Sequence, residues 1–152
     1  TLEYLHEHHR MLIETSYALH ERELENPTKF EDYSFVVFPI SKAYEGFLKR
    51  YFFDLKLIDK QTYEGKKFRI GRALNPDVYS NQRDDDWLYD DLTQLCGETV
   101  ARDLWNTWLE CRNRVFHFFP LSENAITLEQ AKNKIDQVAE SIESAVMCKF
   151  NL

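Results

Sequence analysis

The stretch ETVARDLWNTWLECRNRVFHFFP, residues 98–120, decides how the rest of the chain is read. Val100, Ala101, Leu104, Trp105, Trp108, Leu109, Val115 and Phe116 recur at three- and four-residue spacing, which predicts an amphipathic helix from Glu98 to about Phe119. At roughly 100° per residue, Arg112 falls near the middle of that stripe, one turn past Trp108 and two past Trp105. A guanidinium cannot shed its charge, so the position demands an anion, a partner or a wet cleft. Pro120 disfavours helix at Phe119 and sets His117 on the last turn, near the face of Asn113 and about 140° round the axis from Arg112. A permanent cation and a group that titrates near neutrality are thus gathered at one helix end.

Downstream, Thr127-Leu128-Glu129-Gln130 fits a capping box, with Ile126 placed to staple onto Ala131. Leu128, Ala131, Ile135, Val138, Ile142, Ala145 and Val146 then give a regular apolar face to about Cys148. Upstream, Asp84, Asp85 and Asp86 suit the start of a short helix from about Trp87 to Leu95, because carboxylates favour the N-terminal end of the helix dipole. They lack the spacing and distal glutamate of an EF-hand. The clearest core helix runs from Phe38 or Pro39 to about Ile58, with Ile40, Ala43, Tyr44, Phe47, Leu48, Tyr51, Phe52, Leu55 and Ile58 on one face. Its aromatic stripe reads as core packing, with a base-stacking platform as the other reading. On its flank Glu45 and Lys49 stand at i,i+4, either as a surface ion pair or as the edge of the cleft that holds Arg112.

The first helix is expected from Leu2 to about Leu24, with Leu5, Leu12 and Leu19 at heptad spacing beside Tyr4, Met11 and Ala18. His6, His8 and His9 crowd around Glu7, but neither H-E-x-x-H spacing nor a cysteine pair accompanies them, so no metal is assigned. Between Asp59 and Asp86 the helical pattern lapses. There Lys66, Lys67, Arg69 and Arg72 surround Phe68 and Ile70, whose alternation fits a short strand or one turn of helix. Cations on such a loop suit phosphate contacts, and a solvated loop balanced by nearby acids is the plainer reading. No nucleotide-triphosphate loop is present.

With 43% hydrophobic residues, four Gly and four Pro in 152 residues, the chain suits one packed, all-α domain. Four principal helices and a minor fifth are expected, neighbours antiparallel. The chain opens on Thr1, which reads as a domain, residues 1–152, cut from something longer. No apolar run approaches the roughly 18 residues of a membrane span, and no secretory leader is visible. Three cysteines without C-x-x-C spacing point to free thiols and a reducing, cytoplasmic setting. The net charge of −7 argues against broad nucleic-acid binding, so any RNA must use a local patch or a partner.

Arg112 and Asn113, followed by His117 on the penultimate long helix, with a further helix after it, resemble the R-x4-6-H motif of the HEPN superfamily of small helical ribonucleases. The resemblance implies a HEPN-like antiparallel bundle, catalytic roles for Arg112, Asn113 and His117, and supporting roles for Glu45 and Lys49. The run from Ala43 to Lys49 and the late helix are also similar to the catalytic, antitoxin-binding domain of RNase LS-type toxins. A toxin or phage-defence nuclease of this kind implies an RNA substrate, no cofactor, a homodimer with a composite site, and an antitoxin or inhibitor protein.

Such chemistry needs no metal, because RNA carries its own nucleophile in the 2′-hydroxyl. His117 would move the proton and Arg112 would grip phosphate oxygens as negative charge develops. One helix supplies one histidine, and a regular helix turns Arg112 and His117 apart. A two-fold dimer answers both difficulties. Two other readings stand beside it: a helical module that dimerises or binds protein without catalysis, and a motif that binds a nucleotide phosphate without cutting.

Overall fold

The computed structural model describes residues 3–121 and 124–152. Its elements are α1 (Glu7–Glu25), α2 (Ser34–Asp54), α3 (Lys60–Glu64), α4 (Ile70–Leu74), α5 (Tyr89–Cys96), α6 (Glu98–Trp108) and α7 (Leu128–Phe150). A 3₁₀ turn covers Ser80–Gln82, and a π-helical turn, Leu109–Asn113, continues α6. The regular structure among the described residues is all helical, with no strand. The four principal helices are as expected, but three short helices replace the single minor one, and Phe68 to Ile70 leads into a turn of helix.

Residue pairings fix the directions of the long helices. Tyr4 reaches Asp54, and Ser16 reaches Ile40, so α1 and α2 run antiparallel. Ser41 with Cys111 and Tyr44 with Leu104 set α2 against α6 and its π-turn in the same sense. Gln137 with Thr107 and Lys134 with Glu110 do so for α7 and α6. α2 supplies more of the core than any other helix, and its Ile40, Ala43, Tyr44, Phe47, Leu48, Tyr51 and Phe52 are all buried. The core reading of that aromatic stripe therefore holds. Tyr44 donates to the Leu104 carbonyl at 3.0 Å, which satisfies its hydroxyl at the centre of the bundle.

α2 starts at Ser34, before the expected Phe38 or Pro39, because Asp32 accepts hydrogen bonds from the Ser34 N–H (3.0 Å) and hydroxyl (2.8 Å). It stops at Asp54, short of Ile58, where Lys56 takes a left-handed φ of 61° and the Leu57 N–H closes onto the Phe52 carbonyl. Pro39 lies inside the helix, where it lacks an N–H and crowds the carbonyl one turn back. The next N–H, of Ile40, donates to the fully buried Ser16 hydroxyl of α1 at 2.9 Å. Ser16→Ala would leave that donor unpaired, with an expected loss of roughly 1–3 kcal/mol in urea unfolding. A loss below about 0.5 kcal/mol would show that Ile40 is satisfied elsewhere.

The buried face of α1 is not the expected heptad. It carries Ser16, His20 and Glu23, whereas Met11 is 57% exposed and Leu12 and Leu19 are only half-buried; Leu5 is buried as expected but precedes the helix. Polar residues can face inward because α2 and the following turn supply partners: the Thr28 N–H donates to Glu23, for example, at 3.4 Å. The helix begins at Glu7, well after Leu2.

Cys96 and Cys148 form a disulfide that ties the end of α5 to the end of α7, which corrects the expectation of free thiols. Only bundle packing brings these positions, 52 residues apart, within reach of each other. Cys111 remains a buried thiol, its pKa pushed up to about 12 by desolvation. The capping box at Thr127 and Gln130 starts α7 as anticipated. The acidic run does not cap α5: Asp84 turns to Arg72 instead, while Asp90 and Asp91 supply the negative charge of that helix's first turn. No helix among the described residues is long and apolar enough to cross a membrane.

Candidate functional site

The π-turn at Leu109–Asn113 sets the geometry around the motif. In a regular helix the Glu110 carbonyl would accept from the Arg114 N–H, four residues on. Here Lys134 of α7 donates to Glu110 O at 2.9 Å, Ser41 of α2 donates to Cys111 O at 2.6 Å, and the Arg114 N–H reaches back five residues to Leu109 O at 2.9 Å. Two carbonyls are thus drawn from the helical ladder to neighbouring side chains, which accounts for the wider turn. The extra residue shifts everything beyond it by about 100° relative to a straight helix.

The helix does not reach Phe119, and His117 lies in the turn that follows, not on a last helical turn. Asn124 holds this turn by donating its side-chain amide to the carbonyls of Arg114 and His117. The His117 Nδ1 stands 2.9 Å from the backbone carbonyl of Asn113. A carbonyl only accepts, so Nδ1 carries the hydrogen and the neutral ring presents Nε2 as its basic nitrogen. The ring is exposed. It lies in a hollow of about 380 Å³ with Glu31, Asp32, Ser34, Phe116 and Phe118.

Arg112 opens elsewhere, into a cleft of about 570 Å³ between α6, α4 and the loop after α4. Its guanidinium lies 5.0 Å from the centre of the Trp108 ring and 3.3 Å from Glu45 Oε2. Glu45 therefore borders the cleft that holds Arg112, as one of the two readings had it, whereas Lys49 lies outside its lining. The partnership of Glu45 with Lys49 does not form, because Lys49 Nζ donates to the Gly65 carbonyl at 2.6 Å. The Arg112 and Glu45 side chains are 38% and 48% exposed, so the pair is worth under about 1 kcal/mol and yields readily to a competing anion. Asn113 lines the cleft beside Arg112. It touches His117 through its backbone carbonyl.

The basic loop is divided by the fold. Arg69 and Arg72 line the Arg112 cleft, whereas Lys66 and Lys67 are exposed outside its lining. Arg72 is committed to Asp84, with guanidinium to carboxylate distances of 2.8 and 3.0 Å. Its hydrogen bonds hold the Asp84 carboxyl below the usual aspartate range. Arg69 makes no ion pair among the described residues and is the open cation of the cleft.

Arg112 and Asn113 thus share one hollow, with Glu45 and Arg69, and His117 occupies another. Sequence reasoning missed Trp105, Trp108, Gly71 and Asn75 as cleft residues. The signal was present for the tryptophans, which stand one and two turns before Arg112. Gly71 has none, since its value lies in a close approach: a Cβ there would sit 2.6 Å from Trp108 Nε1. No family model, curated protein or solved structure matches the chain.

Proposed function

We propose that this chain is a metal-independent endoribonuclease of the HEPN type, a toxin or phage-defence effector that cleaves RNA by attack of the 2′-hydroxyl. The observation that carries the proposal is the 2.9 Å contact of His117 Nδ1 with the Asn113 carbonyl, which leaves Nε2 of this exposed residue as the basic nitrogen. A general base must present its lone pair outward to a substrate proton, and this one does. Arg112, loosely held by Glu45, is free to exchange its carboxylate for a phosphate. Within one copy the two groups face different hollows, so the active unit is a homodimer in which His117 of one copy meets Arg112 of the other. An acidic antitoxin or inhibitor would act by covering Arg112.

The test is cleavage of an end-labelled single-stranded RNA in EDTA by the purified chain beside His117→Ala. Cleavage by the parent alone, leaving 2′,3′-cyclic phosphate and 5′-hydroxyl ends, is the expected result. Equal cleavage by the variant, or none by either, overturns the proposal. A second expectation concerns Glu45→Gln, which removes the anion competing for Arg112. RNA affinity at low salt should rise, by at most about fivefold for an exposed pair. Weaker binding would mean that Glu45 orients Arg112 for its ligand.

The second reading, a HEPN-shaped module that binds protein or a nucleotide without catalysis, draws on the separation of Arg112 from His117 and on the acids Glu31 and Asp32 in the histidine's hollow. These carboxylates disfavour a phosphate beside His117 unless a second copy brings its arginine there.

A further inference from the structure

We infer that the Arg112 cleft is a binding subsite for one unpaired nucleotide of single-stranded RNA, with the base on Trp105 and the phosphate between Arg69 and Arg112. The inference rests on the ribonuclease reading for the nature of the ligand, but it needs no cleavage to be tested. Its basis is the combination of groups in one hollow. At about 570 Å³ the cleft falls within the roughly 300–1,000 Å³ of sites for small organic groups. Trp105 is half-buried on its wall, and no other aromatic ring stacks on it among the described residues. Phe68, across the cleft, is already engaged edge-on by Phe52 at 6.2 Å. Trp105 is therefore the half-buried ring of the cleft left without an aromatic partner, and every nucleobase has a face to lay on such a ring.

Polar groups around that ring match the rest of a nucleotide. Arg69 is exposed and unpaired among the described residues, and Arg112 is held only by the half-exposed Glu45. Two guanidiniums at one mouth suit a phosphate, which each can meet with two N–H groups. Asn75 accepts the Asp77 N–H at its Oδ1 (2.9 Å), which fixes the amide and leaves its Nδ2 as a donor. Trp108 is 7% exposed and its Nε1, beside Gly71, donates to no group among the described residues. Both donors can meet the acceptor atoms of a base edge. A duplex keeps its base faces stacked and out of reach, so this chemistry selects single strands. The net charge of −7 is compatible with such a ligand because Arg69 and Arg112 stand together in this one cleft.

The test uses the full chain carrying His117→Ala, so that binding is read without cleavage, with a short fluorescein-labelled oligoadenylate and a duplex of the same length. Trp105→Ala should weaken single-strand binding about tenfold and leave duplex binding unchanged. Trp105→Phe, which keeps a ring and the packing, should recover most of the loss. Arg69→Ala, at an exposed position, should weaken binding and lower the slope of log affinity against log salt by about one. Parent-like affinity in Trp105→Ala, an equal loss for the duplex, or no single-strand binding by the His117→Ala chain would each overturn the inference. Binding with these losses in a chain whose parent cuts nothing would uphold the subsite and sink the nuclease. Cleavage by the parent with unaltered binding in Trp105→Ala would do the reverse.

Discussion

Alanine at His117 is expected to lower RNA cleavage by about 10²–10⁴-fold, the range for removal of a positioned general acid or base. The fold should survive the change. The side chain is exposed, and its recorded bond is to the Asn113 backbone, so truncation opens no cavity and strands no buried partner. The effect should fall on kcat, because in the proposed reaction the imidazole would act on the moving proton while the arginines would hold the phosphate. Asn113→Ala is a useful companion in the same assay. It preserves the carbonyl that orients His117, so any loss it causes reports on the asparagine side chain in the Arg112 cleft. A His117→Ala protein with unchanged circular dichroism and cleavage within about threefold of the parent would remove His117 from the chemistry.

Breaking the Cys96–Cys148 bridge is expected to cost about 4 kcal/mol of stability, from the chain entropy of a loop closed over 52 residues. The bridge joins the last residue of α5 to the last turns of α7, and beyond it Phe150 is 67% exposed. Covalent linkage is therefore a main restraint on that end of α7. The Tyr51 hydroxyl lies 3.3 Å from the Cys96 sulfur, so the bridge also abuts the core of α2. Urea unfolding of the oxidised chain, the same chain with reductant and Cys96→Ser should show a shared fall in midpoint in the latter two. Coincident curves for oxidised and reduced protein would mean that the packing of α7 alone holds this end. Because neither Cys96 nor Cys148 lines the Arg112 cleft, single-strand binding by the folded chain should not depend on the bridge.

The local helices and the long-range contacts of this molecule were unequally legible in its residues. Helix α7 could be read from its residues alone, since the capping box and the regular apolar face from Leu128 to Val146 are local features with a local cause. The same holds for the core face of α2, where Ile40 to Phe52 recur at helical spacing and are buried as that spacing requires. The all-helical class and the four long helices follow from such patterns. So did the placing of Arg112 near the tryptophans, because successive turns of one helix fix the spacing of Trp105, Trp108 and Arg112.

What tertiary structure decided is, in each case, a competition between distant groups. Lys134 and Ser41 take the Glu110 and Cys111 carbonyls, and a predicted straight helix becomes a π-turn that moves His117 away from the expected register. Asp84 takes Arg72, which removes one cation from the basic loop and leaves Arg69 as the open one. Thr28 lets Glu23 face inward, and Ser16 meets the N–H that follows Pro39, so a helix with a polar face packs against the core. The pairing of Cys96 with Cys148 belongs to the same group, since no short spacing announces it. Periodicity reports what each segment does with its own neighbours. A carbonyl, a carboxylate or a thiol chooses among partners that only the folded chain brings within reach.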